Sequence, residues 1–356
     1  MNRNSELAVF ERVAGIYLPG AVDYIKPEWK HDFGMAMDAQ PTLVTTGSSG
    51  IPAFLTTFID PDILRVLTTK NQAANIMGEV RKGSWLDITA MFPVVEQTGE
   101  VSSYGDFNTN GRAGINTNFP TREAYLYQVM VEYGELEMER AGLARIGWAA
   151  ELKGAAINIL NKFQNLTYFY GVAGLQNYGL LNDPSLPAPI APAIKAAGGA
   201  KWWLNNSLNA TANEIYADVQ AMFAQLVTQS GGNVDQASKM VLALSPRSAA
   251  ALTATNQYNV NVSDLLKKNF PSLRIETAIQ YGALSTANPQ GVAAGEVVQL
   301  IAEQVEGQDT GFTAFNEKLR THPLIRDVSS FKQKLTAGSW GAVIRQPFAI
   351  AQMLGV

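Results

Sequence analysis

A chain of 356 residues is long enough for one large or two medium domains with a buried core. Its residues are 47% hydrophobic and only 16% charged, below the about 25% usual for soluble domains, which implies a surface partly covered by something other than water. The 27 basic and 31 acidic residues leave a net charge of −4, which excludes a strongly cationic nucleic-acid binder, and the lack of cysteine excludes disulfides, thiolate metal sites and a cysteine nucleophile. No apolar run approaches the ~18 residues of a membrane span. The opening stretch MNRNSELAVFERVAG carries Glu6 and Glu11 where a secretory signal needs an apolar core, so a soluble protein made in the cytoplasm is expected.

Residues 1–60 hold little periodicity beyond a short helix at Ser5–Val13, and Pro41, Pro52 and Pro61 break this region, which reads as an N-terminal arm. GSWLDITAMFPV predicts a strand with Leu86, Ile88, Ala90 and Phe92 on one face. A second strand is predicted where Tyr125, Tyr127, Val129, Val131 and Tyr133 alternate with Ala124, Leu126, Gln128 and Met130. The polar, glycine-rich EQTGEVSSYGDFNTNGRAGINTNFPT between them exceeds the ~15 residues a compact domain gives to a structureless loop. It is expected to be an extended hairpin leaving the body, with Asn110-Gly111 at the tip.

From Glu135 to Leu166, Met138, Ala141, Ala144, Trp148, Leu152, Ala155, Ile159, Phe163 and Leu166 recur at steps of three and four, predicting one amphipathic helix. At 1.5 Å per residue that is a girder of roughly 48 Å. Gly142, Gly147 and Gly154 interrupt it at about 1 kcal/mol each, a cost that a closely approaching backbone offsets. The chain then turns through TYFYGVAGLQNYGLLNDPSL, with Gly171, Gly174 and Gly179.

Pro187, Pro189 and Pro192 mark a linker into an α/β module. There Thr211 and Glu214 form a capping box. Ile215, Val219, Met222, Phe223 and Leu226 stripe the following helix, which ends before Gly231-Gly232. KMVLALS and LRIETAI predict strands, and Ser245-Pro246 and Ser263-Asp264 predict helix starts. EVVQLIAEQV and a final GSWGAVIRQPFAIAQML complete the strands, with Pro347 marking an edge or a strand end.

Little in the chain carries chemistry. His31 and His322 are far apart, in loop-like contexts, and read as structural. Glu132, Glu135 and Glu139 fit the positive end of a helix dipole better than a metal site. A phosphate loop needs a strand feeding a helix and a terminal lysine; here a helix feeds the glycines, and no lysine lies between Lys162 and Lys195. TTGSSGIP (Gly47 to Gly50) lacks the lysine too, and no nucleophile elbow or zinc-protease motif occurs. No catalytic, cofactor-binding or metal-ligating residue is assigned, and no cofactor. A building role is expected.

The words YGVAGLQNYGLLNDPSL after the helix, with Gly179-Leu180-Leu181-Asn182 at their centre, and GAVIRQPFAIAQMLGV at the end resemble the major capsid proteins of tailed bacteriophages, whose coat fold is named after phage Hong Kong 97. The order arm, hairpin, long helix, α/β module and returning strand is similar as well. The resemblance implies an α+β fold with residues 1–60 as N-terminal arm. Residues 61–186 would be the extended loop and spine helix of a peripheral domain, 187–290 an axial domain, and 291–356 the return to the peripheral domain. It implies a non-enzymatic virion protein that joins copies of itself in pentamers and hexamers of an icosahedral shell. Scaffolding, portal or decoration proteins would be further partners, the DNA a weak non-specific contact, and no membrane is involved. The short arm implies a separate scaffolding protein or none. Two other readings stand beside it: the shell of a bacterial nanocompartment, and an α/β enzyme binding phosphate at the glycines.

Overall fold

A computed structural model of the chain describes residues 71–143, 147–196, 201–204 and 208–356. The arm, with the helix expected at Ser5–Val13, the Gly47 to Gly50 loop and His31, lies outside these residues.

The alternating segment forms β6 (Tyr125–Gly134), antiparallel along its whole length to β14 (Ser330–Ile344). On the other side of β14 run β12 (Gly311–Thr321) and β13 (Ile325–Arg326), both antiparallel to it, and β1 (Glu79–Arg81) adds in parallel to β12. The helix α3 (Trp148–Tyr170) lies on this five-stranded sheet, about 35 Å long at 1.5 Å per residue. Ala156 and Leu160 of α3 bury against Val131, Tyr133, Leu335 and Ala337, and Phe163 sits 4.7 Å from the Tyr127 ring. The period-two pattern of β6 and the helical pattern of α3 are thus two halves of one core.

The single helix expected over Glu135–Leu166 is instead two. The first, α2 (Glu135–Leu143), has no buried residue, and α3 begins after Gly147. Gly142 and Gly147 stand on either side of the interruption, where the helical propensity is weakest. A β-carbon added at Gly142 or Gly154 would meet nothing within 4 Å, so within the described chain no close backbone accounts for either glycine. At its far end α3 runs past Leu166 to Tyr170 and stops at Gly171, whose φ of 62° suits glycine.

A second sheet has the order β15-β9-β7-β8. Here β7 (Met240–Leu244), wholly buried, is parallel to β8 (Leu273–Thr277) and antiparallel to β9 (Val297–Ala302). The last strand, β15 (Ile350–Leu354), pairs with β9 and forms the edge expected from Pro347, with Ile190 bonded along its outer side. Helix α4 (Ala212–Gln229) starts at the expected capping box and buries Ile215, Val219, Met222 and Leu226 against Leu242, Leu300 and Met353. Ser245 caps α5 (Pro246–Ala251). The cap of α6 (Val262–Asn269) is Asn261, two residues before the expected Ser263, because its Oδ1 accepts from the Asp264 amide at 2.8 Å.

One further expectation changes. The last predicted strand splits at a 3₁₀ turn, Pro347–Ala349, which sends Ile344 and Ile350 into different sheets. Of the strands after residue 290, β9 and β15 lie in the second sheet with β7 and β8, and residues 311–344 supply β12, β13 and β14 of the first.

Candidate assembly surface

The expected hairpin is present, but built in two stages. At its root β2 (Thr89–Met91) pairs with β5 (Thr121–Glu123); further out β3 (Val94–Glu100) pairs with β4 (Arg112–Asn118). The register runs unbroken from Thr89 opposite Glu123 to Glu100 opposite Arg112. The strand expected to start near Gly83 does not. Ser84 and Asp87 close a turn (amide to Oδ2, 2.6 Å), leaving Leu86 and Ile88 exposed outside the ladder. The tip is a loop over residues 101–111, organised by Asn108, whose amide donates to the Gly105 carbonyl at 2.8 Å. Asn110-Gly111 sits at the foot of that loop, with Gly111 (φ 90°) packed against Ser102.

Alternation along the paired strands decides what this ribbon offers. Met91, Val95, Gln97, Ile115, Thr117 and Phe119 share one face, whereas Glu96, Thr98, Glu100, Arg112 and Asn116 share the other. The large apolar side chains of the first face are exposed: Met91 66%, Val95 56%, Ile115 67% and Phe119 56%. At the tip, Val101, Tyr104 and Phe107 are almost wholly exposed. An isolated two-stranded ribbon is marginal in water, and this one leaves an apolar face open along its length.

The ribbon ends abruptly at the body. Phe92, one residue beyond Met91, is buried edge-on against Phe312 (5.9 Å) with Ala314, Trp340 and Val343. The glycine corner supports the root from the other side. Asn177 Nδ2 donates to the Glu123 carbonyl at 3.0 Å, and the Gln176 amide donates to Glu123 Oε2 at 3.0 Å. Arg122 Nη2 meets Asp183 Oδ2 at 2.6 Å, with side chains only 9% and 1% exposed, and the guanidinium lies over the Tyr178 ring at 5.0 Å.

The same corner answers the phosphate question. Its amides are already used: Leu180 donates to Tyr168 O at 2.9 Å, Leu181 to Phe169 O at 3.0 Å and Gly179 to Asn182 Oδ1 at 2.7 Å. A β-carbon at Gly171 would lie 2.0 Å from Asn177 O, and one at Gly179 would lie 2.2 Å from Phe169 C. These glycines let the chain fold against the end of α3, with no cradle left for an anion. Tyr170 closes the corner, its hydroxyl donating to Gln280 O and Gln290 O, and burial pushes its pKa up to about 12.

The remaining candidates are structural. His322 Nε2 lies 3.2 Å from Thr336 Oγ1, and its carbonyl accepts from Gln333. Glu132 pairs with Lys332 and Glu135 with Arg326, tying the start of α2 to the β13–β14 turn, while Glu139 is exposed. Among the described residues no three acidic or histidine side chains are grouped to hold a metal. A cleft of about 360 Å³ beside α1 (Ala73–Met77) is lined by Ile76, Phe312 and Arg274, but that arginine is held by Glu303 at 2.6 Å and by the Asn75 carbonyl. Among the described residues no helix is long and apolar enough to cross a membrane. Sequence reading found the ribbon and the corner but missed Arg122 and Asp183; the alternation in VVEQTGE and RAGINTN was the available signal for the apolar face.

Comparison with known proteins fits a building role. Residues 42–355 match the family model described as Pa193 gp26 major capsid protein. No curated protein sequence matches. The capsid of Myoviridae phage XM1 superposes with a TM-score of 0.66 at 12% identity, covering 88% of this chain and 100% of that one. The capsid of a native GTA particle gives 0.57 at 11% identity (88% and 99% covered), and the Gordonia phage Cozz structure 0.53 at 13% (88% and 97% covered). Identities this low speak for the fold alone, and that fold is the Hong Kong 97-like coat fold. The chain belongs to the Pa193 gp26 major capsid protein family, a structural and non-enzymatic component of the phage head shell, assembled from copies of itself.

Proposed function

We propose that the ribbon β3–β4 is the arm that joins subunits, lying on a neighbouring copy by its Met91–Val95–Ile115–Phe119 face while the Glu96–Thr98–Glu100 face stays in water. One observation carries this: an extended ribbon whose exposed apolar side chains fall on a single face. No described residue covers this face, and an open apolar face of this kind suits a partner chain. In this reading the five-stranded sheet with α3 is the peripheral domain. Residues 187–290, joined by β9 and β15, are the axial domain at the centre of pentamers and hexamers. These close an icosahedral shell around DNA, which a chain of net charge −4 encloses without gripping. Scaffolding, portal and decoration proteins are the further partners this role implies, with synthesis in the host cytoplasm. The test is a matched pair of charge substitutions, scored by electron microscopy of assembled particles and by thermal unfolding of free subunits. Ile115→Lys is expected to abolish shells and leave folded subunits, and Thr98→Lys to leave shells intact. Shells of normal yield from Ile115→Lys would overturn the proposal.

A further inference from the structure

If the ribbon is the assembly arm, its direction matters as much as its surface. Beyond the root, the strand residues of β4 are all exposed and those of β3 are exposed except half-buried Val94, so direction has to be set where β2–β5 meets the body. A ladder of seven residue pairs extends about 24 Å at 3.4 Å per residue. A swing of about 20° at the root would move its end by roughly 8 Å, more than the ~4.8 Å between neighbouring strands. An apolar face displaced that far would miss its partner's register.

Two features of the root bear on this. First, the β2–β5 and β3–β4 ladders share one register but are separate sheets, and the gap holds Phe92 and Pro93 opposite Phe119 and Pro120. In this register Phe92 faces Pro120 and Pro93 faces Phe119, and the Phe92–Pro120 pair is the hydrogen-bonding one, so Pro120, which has no amide hydrogen, deletes the return bond to the Phe92 carbonyl. The described residues retain a single backbone bond across the gap, from the Phe92 amide to Pro120 O at 3.0 Å. Second, just inside that gap, the side chain of Arg122 points from β5 into the body and meets Asp183 of the glycine corner. Asp183 is fixed in turn: its Oδ1 accepts from the Ser185 amide (2.9 Å) and hydroxyl (2.6 Å). Arg122 Nε, buried, has no partner. A well-packed apolar pair would fill this buried space as stably, so stability alone does not account for a charged pair here. What an ion pair stacked on Tyr178 adds is direction: one approach angle for the strand that carries the guanidinium.

We infer that the Phe92–Pro120 step, which lacks one of its two ladder bonds, is a hinge between ribbon and root, and that Arg122 and Asp183 are the positioning pair that fixes the root and thereby the direction of the assembly arm. The inference rests on the ribbon joining subunits, but its readout does not.

The chain has no cysteine, so two labels can be placed at will. Thr98→Cys on the polar face of the ribbon and Asn158→Cys on the exposed side of α3, both spin-labelled, report the ribbon-to-body distance by pulsed electron resonance in dilute, unassembled, full-length subunits. Replacing Arg122 and Asp183 together, by Met and Leu, leaves no buried charge unpaired. The expected result is a distance distribution at least twice as wide, shell yield reduced tenfold or more, and a melting temperature within a few degrees of the parent. In the opposite sense, Pro120→Ala restores the amide that can donate to the Phe92 carbonyl and is expected to narrow the distribution, a readout that stands if the first variant fails to fold. An unchanged width in the Arg122/Asp183 variant refutes the positioning pair, and an unchanged width in the proline variant refutes the hinge. A broadened distribution with normal shells refutes the claim that direction governs assembly. None of these outcomes bears on Ile115→Lys, which tests the assembly surface itself.

Discussion

The glycine corner yields the sharpest quantitative prediction, because two of its glycines differ both in backbone conformation and in what surrounds them. Gly174 has φ 85° and open space around it, so Gly174→Ala bears only the left-handed backbone penalty of about 1–2 kcal/mol. Gly179 is different: its added β-carbon would stand 2.2 Å from the carbonyl of Phe169 and 2.3 Å from the Tyr170 amide nitrogen. Carbon contacts relax near 3.5–4.0 Å, so the corner and the last turn of α3 must part by more than about 1 Å. That motion stretches the Leu180 to Tyr168 and Leu181 to Phe169 bonds, each costing about 1–3 kcal/mol if left buried and unmade, on top of about 1–3 kcal/mol of overpacking. The sum, roughly 3–9 kcal/mol, is a large share of the 5–15 kcal/mol that holds an ordinary domain together. Urea unfolding of unassembled subunits, followed by tryptophan fluorescence, measures both variants. The midpoint for Gly179→Ala should fall at least twice as far as that for Gly174→Ala. Equal shifts, or a tolerated Gly179→Ala, would refute the view that these glycines exist for close chain approach.

Two further outcomes follow from buried and capping charges. Lys195 and Asp218 form an ion pair with side chains 0% and 3% exposed, and Trp203 Nε1 donates to the same carboxylate at 2.7 Å. Lys195→Met alone should cost about 3–5 kcal/mol by leaving Asp218 buried without its cation, and adding Asp218→Leu should restore much of that loss in denaturant titrations. The Glu214 carboxylate accepts from the Ala196 and Thr211 amides, which hold its pKa below the usual carboxylate value. A depressed pKa in the folded state gives stability present above the unfolded pKa of about 4.3 and lost as pH falls through the folded one. Acid titration monitored by circular dichroism should therefore show wild type losing more stability below about pH 4 than Glu214→Gln, which lacks the titrating group.

Legibility followed the range of the interaction. The capping box at Thr211, the alternation of β6 and the stripe of α4 depend on neighbours within one element, and all three were readable. The break between α2 and α3 was half readable: Gly142 and Gly147 gave the weakness, but the core stops at Ala156 and Leu160 with none of α2 buried, which no local pattern states. The split of the last strand was harder still. GSWGAVIRQPFAIAQML is apolar throughout because Trp340 and Val343 pack beneath Phe312 while Ala351 and Met353 pack beside α4, so two cores wrote one continuous signal. At the assembly surface, the hairpin was legible from its length and polarity, and its apolar face only from the register. Arg122 and Asp183 lie 61 positions apart, and no periodicity joins them.

The light charge load of the sequence has a place in this design. Complete burial of an apolar side chain contributes about 1.5–3 kcal/mol, so the four exposed residues of the ribbon face offer on the order of 6–12 kcal/mol gross. Joining two molecules costs an estimated 4–15 kcal/mol in lost freedom. On the proposed reading a single ribbon contact is thus close to balance, so free subunits are expected to stay separate even though an apolar face stands open. If the ribbon is the assembly arm, each copy in a closed shell gives one ribbon and receives another, and after the first contacts the later ones no longer cost the full loss of translation and rotation. A more apolar ribbon would trap dimers and misdirected contacts. A more charged one, as Ile115→Lys tests, would leave ring closure short of the energy it needs.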